Sequence, residues 1–216
     1  MINSVRILDR EQYETDKKEL LEILKSKTIP VIAKNRYRDG KIVSFNRENI
    51  IGGIGRTCNF GLVRSRKYGY CNSRFSKKWP EVNKSIFKFV NHICPVGMDV
   101  TSITLNHGVK AKKHKDGFNI GDSVIVGIGE YEEGKLRVYS DETQYVAYDI
   151  KDKPLMFNGA VLAHETEDFT GDRYTIIIYS QRPKNRTWTV EIPVVGTGTA
   201  EPINTLNPET APIQCG

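Results

Sequence analysis

The 216-residue sequence predicts a mainly β fold of the α+β class, with helices gathered on its N-terminal side. Three observations carry that prediction. After Pro95, short β-rich runs follow one another, separated by Gly, Asn and Asp at the spacing of a sandwich or barrel. Before Pro95, two segments place apolar residues at helical intervals. The length suits a single hydrophobic core with at most an appendage.

The elements read in order as follows. Residues 10–26 form an amphipathic helix with Leu20, Leu21, Ile23 and Leu24 on its apolar side. Asp9 is placed to cap it, and Gln12 stands three residues on, in the manner of a capping box. Pro30 and the run IPVIA suggest a strand, RDGK at 38–41 a hairpin-type turn, and Gly52, Gly53 and Gly55 a bend. Residues 79–93 form a second helix, with Pro80 in its first turn and Val82, Ile86, Phe89, Val90 and Ile93 on one face. Strands are expected at 100–105, 123–128, 136–139, 145–150, 155–157, 174–179 and 188–194. The organisation is therefore an N-terminal helical and basic extension (1–95) packed on a β core (96–195), with an extended tail (196–216) rich in Pro, Thr and Gly.

Composition narrows the class. With 38% hydrophobic and 27% charged residues the chain is neither disordered nor collagen-like. No apolar run approaches the roughly 20 residues of a membrane span, and the first residues lack the apolar stretch of a signal peptide. Cys58, Cys71, Cys94 and Cys215 are too scattered for a disulfide scaffold, and no CxxC pair offers a zinc site. Free thiols and an intracellular protein are expected, cytoplasmic or nuclear, viral or phage origin included, without a membrane partner. No feature specifies an oligomeric state.

The net charge of +6 is unevenly spread. Residues 34–78 hold twelve Lys and Arg against Asp39 and Glu48, a local +10 that leaves −4 for the remainder. Among them are Arg64, Arg66, Lys67, Arg74, Lys77 and Lys78, interleaved with Tyr37, Phe45, Phe60, Tyr68, Tyr70 and Phe75. Cations for phosphates and rings for stacking are the composition of a nucleic-acid groove, for DNA or RNA; a solvated face with its aromatics turned inward has the same composition.

The chemistry-bearing residues lie in the β region. In KKHKDGFN, His114 and Asp116 stand two apart, so on an extended strand both project to one face. His164 follows fifty residues later, at the end of another expected strand. Two imidazoles and one carboxylate on one face of a metal are the ligand set of non-haem Fe(II) oxygenases, which leaves positions open for a co-substrate and O2. Arg173 opens the strand RYTIIIYS, and a guanidinium buried at a strand mouth needs an anion; Thr175 shares its face and adds a hydroxyl. His92 and His107 read as surface or packing residues. Gly129-EYEE-Gly134-Lys135 matches the start of a P-loop, but Leu136 stands where Ser or Thr belongs, and Glu130, Glu132 and Glu133 would repel phosphate. A tight hairpin explains its glycines better.

The pattern H-x-D…H…R formed by His114, Asp116, His164 and Arg173 resembles the 2-oxoglutarate- and Fe(II)-dependent dioxygenases over roughly residues 96–182. More narrowly, Asn119, Gly121 and Ser123, the glycines at 127, 129 and 134, and F-x-G-x-R at Phe169–Arg173 resemble the TET/JBP-type branch, which hydroxylates nucleic-acid bases. The resemblance implies a double-stranded β-helix (jelly-roll) core with Fe(II) on His114, Asp116 and His164. It implies 2-oxoglutarate bound by Arg173 with Thr175, Asn106, Asn119 and Ser123 nearby, O2 as oxidant, and the methyl group of thymine or 5-methylcytosine as target. A turn role for Asn106, Asn119 and Ser123 fits equally. Two other readings compete: a prolyl-type protein hydroxylase, and a non-catalytic nucleic-acid-binding module that keeps the barrel.

Overall fold

The computed structural model describes residues 1–31, 35–38, 41–44, 55–65 and 69–181. Strand β1 (Asn3–Ser4) leads into helix α1 (Arg10–Lys25), and β2 (Asn35–Arg38) and β3 (Lys41–Ser44) form a two-stranded ribbon. Strands β4 (Arg56–Ser65) and β5 (Gly69–Asn72) follow, then the short α2 (Arg74–Lys78) and α3 (Pro80–Val90). The β region comprises β6 (Ser102–His107), β7 (Ile120–Ile128), β8 (Tyr131–Glu133), β9 (Leu136–Tyr139) and β10 (Tyr145–Tyr148), then β11 (Leu155–Phe157), β12 (His164–Thr166), β13 (Phe169–Gly171) and β14 (Tyr174–Ser180). The strand expected at 188–194, the tail, and the bend at Gly52 and Gly53 lie outside the described residues.

Seven strands form one antiparallel sheet in the order β1-β11-β7-β14-β6-β4-β5, and β10-β9-β12 form a smaller one. The large sheet is buried on both faces, and the alternation of strand side chains decides what each face meets. On β14, Ile176 and Ile178 join Leu20, Leu24, Val82, Ile86 and Phe89 in a core under the helices. Ile177, between them, packs with Ile125, Leu136, Val138, Leu155 and Phe157 in a second core between the two sheets. This is why β7 and β14 read as nearly continuous apolar runs. The jelly-roll and the N-terminal segment share their sheet, since β1, β4 and β5 are all strands of it. The length of β4 was not foreseen. Its Gly and polar residues obscure the strand pattern, and Gly61 (φ +73°) is required where its Cα faces the Thr101 carbonyl, 2.4 Å from any added Cβ.

Two further expectations are corrected. Gly129 and Gly134 do not flank a simple hairpin turn: the residues between them form β8, which pairs with β13, and both glycines hold positive φ (107° and 69°). Cys71 is disulfide-bonded, while Cys58 and Cys94 are free thiols, so the expectation of free thiols fails at Cys71. Among the described residues no helix is long and apolar enough to cross a membrane.

Helix α1 begins as expected, with the Gln12 amide N–H donating to the Asp9 carboxylate at 2.9 Å. It is pinned to α3 by Asp16, which is 2% exposed. The Asp16 carboxylate accepts from Lys88 Nζ (2.7 Å), His92 Nε2 (2.8 Å) and Gln12 Nε2 (2.8 Å). Burial by itself would raise its pKa; the hydrogen bonds from His92 and Lys88 outweigh that and hold it below the usual carboxylate range. Asp16→Asn removes one partner of a buried charge cluster and is expected to cost about 2 kcal/mol of unfolding free energy. Because the native pKa is depressed, this contribution is present above roughly pH 4 and is lost as pH falls through the native value. Urea melts of wild type and Asp16→Asn should differ at pH 7 and converge in acid.

Candidate functional site

His114 and His164 lie directly opposite each other in an isolated antiparallel bridge. They exchange both backbone hydrogen bonds, His114 N–H to His164 O at 3.0 Å and His164 N–H to His114 O at 2.9 Å. The bridge puts both imidazoles on one side, with ring centroids 4.3 Å apart. Two residues on, the Asp116 N–H donates to Gly159 O (2.9 Å), which turns the carboxylate toward the same point. One ligand atom from each of His114, Asp116 and His164 lies within 4.8 Å of the others.

The hydrogen bonds around this triad settle the tautomers. His114 Nδ1–H donates to Lys112 O (2.7 Å) and His164 Nδ1–H to Leu162 O (3.1 Å), which leaves both Nε2 atoms as lone-pair donors. These Nε2 atoms stand 3.6 and 3.8 Å from the Asp116 oxygens, too far for hydrogen bonds and suited to sharing a cation. Burial depresses the His164 pKa and so favours the neutral, ligating form; at His114 burial acts the same way but the Asp116 carboxylate outweighs it. Gly159 is required here, because an added Cβ would sit 2.9 Å from Asp116 Oδ2 and 3.3 Å from His164 Cε1. The donor set fits a divalent transition metal.

Arg173 is 2% exposed. Its Nη1 and Nη2 donate to Val109 O (3.4 Å) and Gly134 O (3.2 Å), and its Nε has no partner among the described residues. The Tyr131 hydroxyl is likewise buried without a partner among them, and the guanidinium lies 5.3 Å from the Tyr131 ring centroid and 5.1 Å from that of Phe169. Burial lowers the pKa of Arg173 and raises that of Tyr131 to about 12, so a buried cation and a neutral hydroxyl both have a donor to offer an acceptor. Two glycines make the seat: a Cβ on Gly127 would meet the Tyr131 hydroxyl at 2.1 Å, and one on Gly134 would meet Arg173 Nε at 3.0 Å. Tyr131 and Gly159 escaped the sequence reading. A glycine directly before an aromatic-acidic strand, and the N-G pair after β11, were the available signals.

A cavity of about 80 Å³ opens at the triad. It is lined by all three members of the triad, by Asn106, Ser123 and Thr175, and by apolar Ile125, Leu136, Phe157 and Ile177. Arg173 adjoins it at Val109, a lining residue whose carbonyl it bonds. Asn119 is not a lining residue: its Nδ2 donates to Asp116 Oδ2 and to Ser123 Oγ, both at 3.2 Å, so it orients the carboxylate instead. Of the basic residues, Arg64 stands over the ring of Phe118, two residues along the chain from Asp116, at 4.7 Å. Arg74 and Lys78 lie over Phe75 and Trp79 on α2, where Lys77 is also exposed. Arg66 and Lys67 lie outside the described residues. His92 pairs with Asp16, and His107 stacks on Tyr174 at 4.2 Å; neither reaches the site.

Among solved structures, NgTET1 in complex with 5mC DNA superposes with a TM-score of 0.51 at 15% identity, covering 84% of this chain and 72% of that one. The chain has the jelly-roll fold of the 2-oxoglutarate- and Fe(II)-dependent oxygenases. A prolyl hydroxylase from Trichoplax adhaerens, in complex with a hypoxia inducible factor peptide fragment, has a TM-score of 0.46 at 16% identity over 83% of this chain and 81% of that one. OsALKBH1 gives 0.46 at 12% identity over 83% of this chain and 97% of that one. Neither likeness is close enough to bear on the substrate. No protein-family model and no curated protein matches the chain.

Within the oxygenase fold the triad makes a direct prediction. Titration with Co(II) is expected to give one bound ion per chain, read by visible absorption. His114→Ala and Asp116→Ala should each weaken binding by ~100-fold or more, with the circular dichroism spectrum unchanged, since the backbone bridge does not use these side chains.

Proposed function

We propose that this chain is a 2-oxoglutarate- and Fe(II)-dependent dioxygenase that hydroxylates a C–H bond of a nucleic-acid base, most favourably the methyl group of thymine or 5-methylcytosine. One observation carries the catalytic part of this reading: a His–Asp–His triad with both Nε2 atoms free shares a barrel with a buried Arg173 whose Nε is unpartnered. The nucleic-acid part rests on the local +10 of residues 34–78 and on Arg64 over the ring of Phe118, two residues along the chain from Asp116.

In this reading Nε2 of His114 and His164 and the Asp116 carboxylate hold the iron. Bound there, it would couple O2 and the oxidative decarboxylation of 2-oxoglutarate, to succinate and CO2, with insertion of the other oxygen atom into the substrate C–H bond. The chain's own work is positioning. Arg173 pairs with the far carboxylate of the co-substrate, and the Tyr131 hydroxyl donates to the same group, which gives both buried polar atoms the partner they lack. Thr175 and Asn106 offer polar groups along the co-substrate chain. Ser123 holds the Asn119 amide, which in turn steadies Asp116. Ile125, Leu136, Phe157 and Ile177 keep water from the reacting centre. A base within a duplex would need to leave the stack to reach the triad.

The deciding experiment is mass spectrometry of nucleosides after incubation with Fe(II), 2-oxoglutarate and DNA or RNA. Hydroxylated thymine or 5-methylcytosine, formed in step with succinate, is the expected result. Succinate formed only with peptides would move the substrate to protein side chains. The seat is tested separately. Arg173→Lys keeps the charge but loses the planar fork, and should raise the apparent KM for 2-oxoglutarate by ~30-fold. Tyr131→Phe should raise it by ~10-fold with a smaller effect on kcat. Unchanged values in both variants would place the anion elsewhere.

A further inference from the structure

Phe118 is 59% exposed, unusual for a phenylalanine in a folded chain. It sits at the tip of the turn Asp116–Asn119, in which the Asn119 N–H donates to Asp116 O at 3.4 Å and the Asn119 side chain bonds back to the Asp116 carboxylate. The ring therefore stands one turn from a member of the triad. Two other exposed apolar side chains lie close in sequence to site residues: Ile120 (49%), just past the turn, and Val161 (61%), two residues beyond Gly159, whose carbonyl accepts from the Asp116 N–H. Apolar side chains left in water cost free energy unless something covers them.

The second observation comes from a different part of the chain. Arg64, on β4, holds its guanidinium 4.7 Å from the Phe118 centroid. It is exposed and belongs to the strongly basic segment. Across β4 and β5 its directly paired neighbour is Tyr70. A cation on an exposed ring does two things: it fixes the ring's orientation, and it places positive charge at the edge of a flat apolar face. A flat ring beside a cation complements a base and its phosphate.

We infer that Phe118 and Arg64 form a stacking platform at the mouth of the site, on which an unstacked base of a nucleic-acid strand lies against Phe118 while its phosphate meets Arg64. The inference deepens the nucleic-acid reading of the site and rests on it. The occupant is a strand with a free base face, single-stranded or locally opened, because a base inside a duplex has no face to offer. The apolar face of the platform is indifferent to base identity, so it grips the strand next to the target base rather than selecting the target.

Fluorescence anisotropy with labelled oligonucleotides, full-length protein and a salt series tests this. The probes are a single strand and a duplex of one sequence, each as DNA and as RNA. Phe118→Ala should weaken single-strand binding by ~10-fold, with the salt slope unchanged, since stacking releases no counterions. Phe118→Trp should restore or exceed wild-type affinity. Arg64→Gln should weaken binding and reduce the magnitude of the log–log salt slope by about one, the release expected for one phosphate contact. Melting temperatures should match the wild type, because both side chains are exposed. Phe118→Ala with unchanged single-strand affinity would overturn the platform, as would a Phe118→Ala loss that Trp does not restore, or an Arg64→Gln salt slope equal to wild type. Succinate release by the wild type separates this inference from the wider reading. Peptide-dependent succinate with no oligonucleotide binding sinks the platform and leaves the oxygenase standing. Phe118-dependent oligonucleotide binding without succinate under any substrate leaves the platform standing and sinks the oxygenase.

Discussion

The pair of backbone hydrogen bonds between His114 and His164 is the constraint on which the site depends. It joins two segments fifty residues apart at one point and with one register. A slip of one residue on either side would send one imidazole to the opposite face. With the register held, Asp116 needs only the alternation of an extended chain and one hydrogen bond to Gly159 to complete the triad. The Nδ1 bonds to Lys112 O and Leu162 O come from the same local backbone, so ring orientation and tautomer follow from the bridge and not from distant packing.

The bridge extends the smaller sheet, since His164 opens β12 and pairs with Val138 of β9, and that sheet packs over the large one. β7 and β14 present alternate side chains to two cores, one under α1 and α3 and one between the sheets. A sheet anchored on both faces gives the polar residues of the cavity a rigid floor, and it lets Arg173 be buried at the head of β14. Removing a guanidinium from water is costly, and here two carbonyls and the faces of Tyr131 and Phe169 offset part of the cost while Nε finds no partner among the described residues. Stability alone gives no reason to keep such a group. The glycines at 127 and 134 that make room for it tie the local backbone to the same purpose.

Much of this was legible in the sequence, and the reasons differ by element. The two long helices, β9 and β11 followed from apolar spacing, and the extents of β6, β7, β10 and β14 were read to within a few residues. The triad and Arg173 were visible because metal ligands and buried guanidinium groups are rare residue types in such runs. Strands β8, β12 and β13 were not, since three residues are too few for any period to show. β4 hid behind Gly61 and the polar face opposite Cys58 and Phe60, which carries Asn59, hydrogen-bonded to Thr104. Tyr131 could not be foreseen as a partner for Arg173, because their proximity depends on the pairing of β8 with β13. Asn119 was read as a co-substrate contact or, equally, as a turn residue, and the turn role is the one observed. Its bonds to Asp116 and Ser123 arise from turn geometry that residue identity alone does not specify.

The turn that carries Asp116 also carries Phe118, and its two ends are tied by both the backbone and the side chain of Asn119. Four residues closed in this way have few free torsions. A change at Asn119 would therefore be felt twice, once in the shape of the turn at the surface and once in the orientation of the carboxylate beneath it.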